Sequence, residues 1–393
     1  MYTIFTPDLP TSNSPQIIQG GNIQNARKTI TASVSDVAKK NGDAFALEIR
    51  NRFVADFEKA EQDKMVHVST FLYTGGKIYM SYYANTQDSA EDPGFQTARL
   101  AYCPADDPKN QTILDIQTVG DKCYDGIVEK VYDTILMQKD ENTLFVLWTA
   151  AVSGKYYRLY RVFDLRTGTL GSVQVNRFKV GDVVNDFSTT GIQNALTANK
   201  IGYKTMFSDI GIMQKLSCRM ENGIKYYYTG TYSGAFTAII KSHDLITWEY
   251  VSQPDFINDS KWENATYVCG DRCYYFVRQF DEESNCGFLT VFDLVKNTWE
   301  APVLIEDCQS RSDFIVYKNE LYLFHAPIDR EHIGIIHINQ SDIALSEVVL
   351  QADMGGSCFY PFVQYTDGDE LGMSYTIDRK HIRLSKFDFE QYL

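Results

Sequence analysis

Residues 262–280 read WENATYVCGDRCYYFVRQF, two short runs rich in aromatic and β-branched residues on either side of a turn at Gly270. Runs of this composition, bounded by Gly, Asn or Asp, are typical of β-strands joined by tight turns. The same turn followed by an aromatic strand recurs at Gly75, Asn142, Asn222, Asn319 and Asp367. From Asn222 onwards the turns lie roughly 48 residues apart, which is the length of one four-stranded propeller blade.

Six such units fit between about residue 66 and the C-terminus, and two longer intervals leave room for inserted loops near residues 86–95 and 170–205. We therefore expect an all-β fold, a six-bladed β-propeller of four-stranded antiparallel blades. Residues 43–393 would form this single domain, and residues 1–42 would form an N-terminal arm. No amphipathic helix is expected after residue 60, because no later stretch has the apolar spacing of a helix.

The segment from Phe45 to Phe57 is open to two interpretations. Its apolar residues occupy odd positions with charged residues between them, which is the period of a half-buried strand. The spacing of four that relates Phe45, Ile49 and Phe53 keeps a helix as the alternative. We expect a ring-closing strand within residues 43–65 that pairs with the last blade, because such pairing removes an exposed sheet edge.

The charge balance limits the classes of partner. The 393 residues carry 37 Lys and Arg against 51 Asp and Glu, a formal net charge of −14, without a basic run. A nucleic-acid or anionic-membrane partner is therefore not expected, and no stretch of about 18 apolar residues indicates a membrane span. A small anionic substrate stays open, because local arginines decide its binding. The opening MYTIFTPDLP lacks the features of a secretory signal, so we expect a cytoplasmic protein, with secretion as the alternative.

The sequence contains no motif that is typical of a metal or cofactor site. Eight cysteines are scattered along the chain, and the pair Cys269 and Cys273 has no matching second pair or nearby His to complete a zinc site. No Gly-rich phosphate loop is present either. We expect reduced thiols and no cofactor, and we interpret the N-terminal arm as a segment that could mediate a homodimer.

The turn Ser242–Trp248, SHDLITW, is similar to the Asp-box of the sialidase superfamily, Ser-x-Asp-x-Gly-x-x-Trp, although it is one residue shorter and lacks the Gly. Together with the strand pair at residues 262–280 and the last blade, it makes residues 66–393 resemble the six-bladed propellers of that superfamily. Such turns stabilise blades and carry no chemistry, so this motif implies the fold. The activity that the wider resemblance implies is hydrolysis of a glycoside of an acidic sugar.

The resemblance implies a tyrosine nucleophile, a glutamate base and an acidic proton donor. Glu263 and Tyr360 match the first two positions, and the loop NTQDSAEDPGF offers Asp92 as the first choice for the third, ahead of Asp88 and Glu91. A sialic acid carries a carboxylate at its anomeric carbon, so a neutral Tyr–Glu pair suits it better than a carboxylate nucleophile. Glu263 would accept the proton of Tyr360, because a phenol is a poor nucleophile near neutral pH. Asp92 would protonate the leaving oxygen.

The substrate carboxylate would be held by arginines, which bind carboxylates in a bidentate manner. Arg278 and Arg330 match two positions of the family's three-arginine clamp. At the remaining position the family's Phe-Arg-Ile-Pro strand is replaced by VHVSTF, so that His67 stands where an arginine is expected. Arg311 would rebuild part of the clamp, although a structural pair with Asp313 fits equally well. The missing arginine favours an acidic sugar other than sialic acid.

Three functions stay open at this point. The first is an exo-acting, retaining glycoside hydrolase with Tyr360 and Glu263 as the nucleophile pair. The second is a polysaccharide lyase acting on a uronic acid, with His67 and Tyr360 as base and acid while Arg278 and Arg330 neutralise the carboxylate. The third is a non-catalytic glycan-binding propeller, in which aromatic side chains stack on sugars. An unsaturated uronide, which absorbs ultraviolet light, would distinguish the lyase from the hydrolase.

Overall fold

The computed structural model describes residues 29–30, 34–123, 126–204, 206, 209–254, 260–279, 286–308, 310–366 and 368–392. Most of the expected N-terminal arm, residues 1–28 and 31–33, lies outside the described residues. The first described elements are β1 (Thr29–Ile30), α1 (Asp36–Asn51) and β2 (Phe53–Asp56). Helix α1 therefore crosses the boundary that was expected between the arm and the propeller domain.

Three antiparallel blades come next along the chain. The first consists of β3 (Met65–Thr74), β4 (Lys77–Asn85), β5 (Gln96–Pro104) and β6 (Thr112–Thr118). The second follows β7 (Lys122–Cys123) and consists of β8 (Gly126–Asp140), β9 (Thr143–Val152), β10 (Lys155–Asp164) and an outer edge formed by β11 (Thr169–Leu170) and β12 (Gln174–Val175). The third takes in β13 (Arg177–Val180), β14 (Val183–Asp186), α2 (Thr189–Ala198), β15 (Ile210–Ile212), β16 (Ser217–Glu221), β17 (Ile224–Ser233), β18 (Phe236–Ser242) and β19 (Thr247–Ser252).

Two further blades and a composite sheet complete the fold. The fourth blade consists of β20 (Ser260–Cys269), β21 (Arg272–Gln279), β22 (Cys286–Asp293), β23 (Thr298–Trp299) and β24 (Val303–Glu306), to which β1 adds a parallel strand. The fifth consists of β25 (Asp313–Tyr317), β26 (Glu320–His325), β27 (His332–Ile338) and β28 (Glu347–Asp353). The closing sheet consists of β29 (Cys358–Tyr365), β30 (Leu371–Ile377) and β31 (His381–Phe387), with β2 as its fourth strand.

The all-β propeller of four-stranded antiparallel blades is confirmed, but the number of blades is not the expected six. Five blades are complete after residue 65, and the closing sheet has to take β2 from before that point. Neighbouring sheets contact one another around the ring, in most cases through their first strands, and β29 contacts β3, so the ring is closed. Because β2 pairs with β31, the closing sheet combines strands from both ends of the chain and β31 is not left as an unpaired edge. This pairing explains why the fourth strand of the closing sheet comes from the start of the sequence.

The expected strand over residues 45–57 is wrong for most of its length, because residues 36–51 form α1. Phe45 and Ile49, four residues apart, are buried against the fifth blade and the closing sheet. A Cβ atom at Gly42 would lie only 1.7 Å from a backbone oxygen of β28, so the helix packs directly on that strand. The alternative interpretation of this segment, a helix with apolar residues four apart, is therefore correct up to Asn51, and the strand begins only at Phe53 in β2.

A second departure is α2, which lies within the expected inserted loop near residues 170–205. Ser188 caps this helix by accepting a hydrogen bond from the backbone N of Gly191 at 3.0 Å. Ile192 and Leu196, again four residues apart, are buried in the core between the second and third blades. The expectation of no helix after residue 60 is therefore wrong. No helix in the described part of the chain is long and apolar enough to cross a membrane.

The Asp-box-like turn has a geometry that recurs around the ring. The carboxylate of Asp244 accepts hydrogen bonds from the backbone N of Ile246 and Thr247, both at 2.8 Å. Turns with the same double acceptance follow the third strands of three other blades, where the acceptors are Asp164, Asp293 and Asn339. A side-chain acceptor of this kind holds the chain in a tight turn and so positions the outer strand.

Candidate active site

The first strands of three sheets carry the same irregularity. Val68 in β3, Asp133 in β8 and Tyr360 in β29 have φ angles of 55°, 52° and 55°, each within a shift of the strand register. A bulge of this kind turns side chains out of the regular ladder, and positive φ at residues other than glycine is uncommon. Because such strain clusters at functional sites, the three bulges indicate where the site lies.

A cavity of about 310 Å³, here called the site cavity, joins these three residues. Its volume falls within the range of pockets for small ligands. The residues that line it come from all around the ring and are Val68, Tyr83, Glu91, Pro93, Gln96, Lys130, Tyr132, Asp133, Tyr156, Asp209, Tyr232, Glu263, Arg311 and Tyr360. A larger cavity of about 510 Å³ lies near Tyr157. Among its described lining residues Asp186 is the one carboxylate, and it is paired with Arg177, so this cavity offers no group of acids.

Glu263 connects two arginines and a tyrosine at the wall of the site cavity. Arg278 Nη1 donates a hydrogen bond to Glu263 Oε2 at 2.5 Å, and Arg311 Nε donates to Oε1 at 3.3 Å. The hydroxyl of Tyr360 lies within hydrogen-bonding reach of the same carboxylate. Glu263 and Arg278 come from neighbouring strands of the fourth blade, whereas Arg311 precedes β25 and Tyr360 lies in β29. The structure thus brings four sequence-predicted residues together from three different sheets.

The surroundings of Glu263 and Tyr360 set their protonation states. Burial would raise the pKa of Glu263, but Arg278 and Arg311 outweigh it and hold this pKa below its ordinary value. Burial, together with the Glu263 charge, raises the pKa of Tyr360 above its ordinary value. Near neutral pH, Glu263 is therefore an ionised acceptor and Tyr360 a neutral donor.

A buried ion network extends from Glu263 across the ring. Arg311 Nη1 lies 2.6 Å from Asp133 Oδ1, and Arg158 Nη1 lies 3.3 Å from Asp133 Oδ2. Arg158 is completely buried and also donates to the backbone oxygen of Asp133 at 2.7 Å. The charges therefore alternate from Arg158 through Asp133, Arg311 and Glu263 to Arg278. Three arginines and two carboxylates leave this network with one excess positive charge, which suits an anionic ligand.

His67 and Arg330 lie beside Tyr360 and contribute in different ways. The His67 ring stacks on the Tyr360 ring at 4.5 Å, is fully buried, and its Nδ1 lies 3.1 Å from Thr376 Oγ1. His67 therefore packs behind Tyr360 and does not line the site cavity. The Arg330 guanidinium lies 5.3 Å from the centre of the Phe359 ring and forms no ion pair within the described part of the chain.

The acids of the first-blade loop are arranged differently from the expectation. Asp92, the first choice as proton donor, is exposed and accepts a hydrogen bond from the backbone N of Gly94 at 2.8 Å, so it caps a short 3₁₀ helix outside the site cavity. Glu91 does line the cavity, but its Oε1 accepts from Tyr83 at 2.6 Å and its Oε2 lies 2.8 Å from Arg379. Asp88 is engaged within the loop, where it accepts hydrogen bonds from Asn85 and Ala90.

Sequence reasoning missed Asp133, Arg158 and Asp209. Asp133 had a usable signal, because it is the one charged residue in the mostly apolar run from Val131 to Met137, where an unpaired charge would be costly. Arg158 lies in KYYRLYRVFDL, where nothing separates it from an ordinary strand arginine. Asp209 follows the inserted segment and only the fold places it in the cavity wall.

Among the described residues, one group of side chains could hold a metal ion by distance alone. Ligand atoms of Asp56, Glu58 and His381 lie within 4.8 Å of one another at the pairing of β2 with β31. Arg383 Nε, however, donates to Asp56 at 2.9 Å, and its positive charge disfavours a cation there. None of these residues lines the site cavity.

Comparison with known proteins bears on the fold. No protein-family model and no curated protein matches the chain. Trypanosoma rangeli sialidase in complex with sialic acid is similar in structure, with a TM-score of 0.55 and 13% identity over 92% of this chain and 59% of that one. Hadza microbial sialidase Hz136 is similar with a TM-score of 0.59 and 11% identity over 85% of this chain and 67% of that one. A glycosyl hydrolase from Bacteroides ovatus matches with a TM-score of 0.42.

The chain thus spans about three fifths of the length of the T. rangeli sialidase that it matches. At 11% and 13% identity, these similarities extend to the fold and not to the activity. The chain is a β-propeller whose fold is similar to that of sialidases.

Proposed function

We propose that this protein is an exo-acting, retaining glycoside hydrolase that releases an acidic, carboxylate-bearing sugar from a glycan. Tyr360 is the nucleophile and Glu263 the base that accepts its proton. The observation that carries this proposal is the contact of a neutral phenol with a carboxylate that Arg278 and Arg311 keep ionised, at the wall of the site cavity.

The chemistry of an acidic sugar accounts for a tyrosine in this role. A carboxylate nucleophile would be repelled by the substrate carboxylate, whereas the phenol is neutral until it attacks. As positive charge develops on the sugar, the Tyr360 proton passes to Glu263 and the phenol oxygen bonds to the anomeric carbon. Protonation of Glu263 removes the negative charge that faces Arg278 and Arg311, and the substrate carboxylate supplies a negative charge that compensates for this loss.

The positive charge of the site supplies the binding energy for the substrate carboxylate. Arg278 and Arg311 are largely neutralised by Glu263 and Asp133. Arg330 has no ion pair among the described residues, and it lies close enough to Tyr360 for the two to interact electrostatically. Arg330, like His67, is not among the residues that line the site cavity. We therefore assign it the uncompensated positive charge that attracts the substrate carboxylate, and Arg311 in the cavity wall the direct contact.

The buried position of His67 favours hydrolysis over the lyase reaction. A lyase base has to reach the proton next to the uronic carboxylate, and a stacked, fully buried His67 does not reach into the cavity. Neutral-sugar binding without catalysis would not need the network of buried arginines around Glu263.

The test is a product screen with a panel of sialosides, ulosonic-acid glycosides and uronic-acid oligosaccharides. We expect release of an acidic monosaccharide, no ultraviolet-absorbing unsaturated product, and loss of release with Tyr360→Phe. Tyr365→Phe is the matched control, because Tyr365 lies on the same strand and bonds a backbone oxygen of the fifth blade outside the cavity. Unsaturated products would replace the proposal by a lyase, and binding without turnover would replace it by a glycan-binding module.

A further inference from the structure

The residues that line the site cavity fall into two groups. Glu263, Arg311 and Tyr360 belong to the ion network and come from the fourth blade, the fifth blade and the closing sheet. Asp209, Tyr132 and Tyr156 come from the second and third blades. A glycosidase needs a proton donor for the leaving group in addition to its nucleophile. Asp209, which comes from a different part of the ring than Tyr360, is therefore a candidate for this donor.

The other acids near the cavity have their carboxylates engaged. Both oxygens of Glu91 are bonded, one to Tyr83 and the other to Arg379. Asp133 lies between two arginines, and both of its oxygens are within 3.3 Å of a guanidinium nitrogen. Asp209, by contrast, forms no ion pair within the described ranges of the chain. It lines the cavity and is half-buried, and its carboxyl accepts a hydrogen bond from its own backbone N–H.

We propose that Asp209 is the general acid of the glycosidase proposed above, and that the leaving group lies between Asp209 and Tyr132. The proposal rests on that function. In the first step the Tyr360 oxygen bonds to the anomeric carbon, the glycosidic C–O bond breaks, and the Asp209 proton passes to the leaving oxygen. In the second step water attacks the anomeric carbon and gives a proton to Asp209, while Tyr360 leaves and recovers its proton from Glu263.

The charged groups around Asp209 are consistent with a donor that is protonated at rest. Burial raises the pKa of its carboxyl above the ordinary value, and the charges of Asp133 and Glu263 act in the same direction, against a hydrogen bond from its own backbone N–H and the charge of Lys130. Tyr132 and Tyr232 are the neutral groups that also face it. Asp209 and Glu263 thus have pKa values displaced in opposite directions, which is the pattern of a paired acid and base.

The wall next to Asp209 carries a second, independent feature. The Tyr132 hydroxyl is buried and has no hydrogen-bond partner among the described residues. The Tyr156 ring lies 6.2 Å from the Tyr132 ring, centre to centre, and the Lys130 amine lies 5.8 Å from the Tyr156 ring. Aromatic faces and a hydroxyl suit a neutral sugar, whose C–H face stacks and whose hydroxyls accept hydrogen bonds. We therefore assign a neutral sugar as the leaving group.

The test compares Asp209→Asn with the wild-type enzyme on two glycosides of the same acidic sugar, one with a nitrophenol and one with a sugar as leaving group. With the sugar substrate we expect kcat/KM to fall by roughly 10²- to 10⁴-fold, because this leaving group needs a proton. With the nitrophenyl substrate kcat/KM should change little, because this leaving group needs no proton. Its kcat should fall, because the second step lacks the base that accepts the proton of water, and azide should restore kcat by forming a glycosyl azide. A misfolded variant would lose activity on both substrates equally, so a loss confined to the sugar substrate cannot be caused by misfolding.

Two controls separate the outcomes. Asp182→Asn, an exposed aspartate of the third blade, should leave both substrates unaffected. The alkaline limb of the kcat/KM profile should disappear in Asp209→Asn and persist in Asp182→Asn. Equal kcat/KM values for Asp209→Asn and the wild-type enzyme on the sugar substrate would overturn the assignment of Asp209, whereas wild-type inactivity on every acidic glycoside would overturn the proposed function itself.

Discussion

Arg311 and Asp313 lie two residues apart at the start of the fifth blade, and both belong to buried ion pairs, yet their surroundings differ. Arg311 contacts Asp133 and Glu263 and lines the site cavity. Asp313 Oδ2 lies 3.0 Å from Lys215 Nζ, and Lys215 also bonds the backbone oxygen of Val363. Neither Lys215 nor Asp313 lines the cavity.

The difference shows that access, and not burial or charge, separates a site from a structural link. Lys215, Asp313 and Val363 come from the third blade, the fifth blade and the closing sheet, so the pair connects three sheets across the centre of the ring. Arg311 makes equally buried contacts across the ring but faces open space on one side. We infer that the Lys215 pair fixes the relative position of the sheets, and that the Arg311 network uses the same geometry for ligand chemistry.

The largest effect is expected at the accessible network. Glu263→Gln and Tyr360→Phe should each lower turnover of the acidic glycoside on the order of 10³-fold or more, because the two residues act as one unit. Their double variant should lose little beyond either single variant. Turnover is measured on protein whose circular dichroism matches the wild type. Full activity in both single variants would show that the Arg311 network, like the Lys215–Asp313 pair, has only a structural role.

Substitution in the Lys215–Asp313 pair should lower the stability of the protein and leave its activity unchanged. Lys215→Met leaves the Asp313 carboxyl buried without its cation, which should lower the free energy of unfolding by about 3–5 kcal/mol. Adding Asp313→Asn should recover much of this loss, since the unpaired charge is then gone. Urea unfolding measures the change, and kcat of the folded protein should stay at the wild-type value. A fall in kcat comparable to that of Glu263→Gln would show that the two groups are not separable.

A smaller effect is expected where the packing of β17 against β20 positions Glu263. Gly230 on β17 faces Asn264, the neighbour of Glu263, and a Cβ atom at Gly230 would lie 1.6 Å from Asn264 Oδ1. Gly230→Ala should therefore displace the start of β20, cost roughly 2–3 kcal/mol of unfolding free energy, and lower kcat with it. Gly223→Ala is the control for lost stability without displacement of Glu263: the added Cβ meets no atom within 4 Å, but the φ of +81° strains alanine, so stability should fall while kcat stays unchanged. Unchanged kcat in Gly230→Ala would mean that Glu263 is positioned by its arginines alone.

The smallest effect concerns a buried group without a charged partner. His325, on the second strand of the fifth blade, forms no ion pair among the described residues, and burial lowers its pKa to about 4 against a smaller opposing effect of the Ala326 backbone. Its stabilising contribution is complete above the pKa of the unfolded chain and is lost as the pH falls towards about 4. Between about pH 7 and pH 5 this loss amounts to about 2 kcal/mol.

This dependence is measured as the difference in unfolding free energy between the wild type and His325→Leu at several pH values. The variant should have the flatter profile, because leucine does not titrate. Parallel profiles would show that His325 does not contribute to the acid sensitivity.

The order of strands was predictable because each strand carries its own composition and ends at its own turn. The turns at Gly75, Asn142 and Gly270 do join the first and second strands of their sheets. The spacing from Glu263 to Arg278 was predictable for the same reason, since the two residues lie on one hairpin. Helix α1 was mistaken for a strand because its apolar residues satisfy both periods over a short segment.

The local sequence pattern could not predict which residues from different blades meet in the site cavity. Asp133, Asp209 and Arg311 come from three blades, and only closure of the propeller brings them to one cavity. Asp92 and Glu91 are adjacent in the chain, yet one caps a turn and the other lines the cavity, because the fold of the loop decides which side chain faces inwards. Composition and spacing thus determine which strands form, since these depend on neighbouring residues. The site depends on contacts between residues far apart in the chain, and these exist only once the ring has closed.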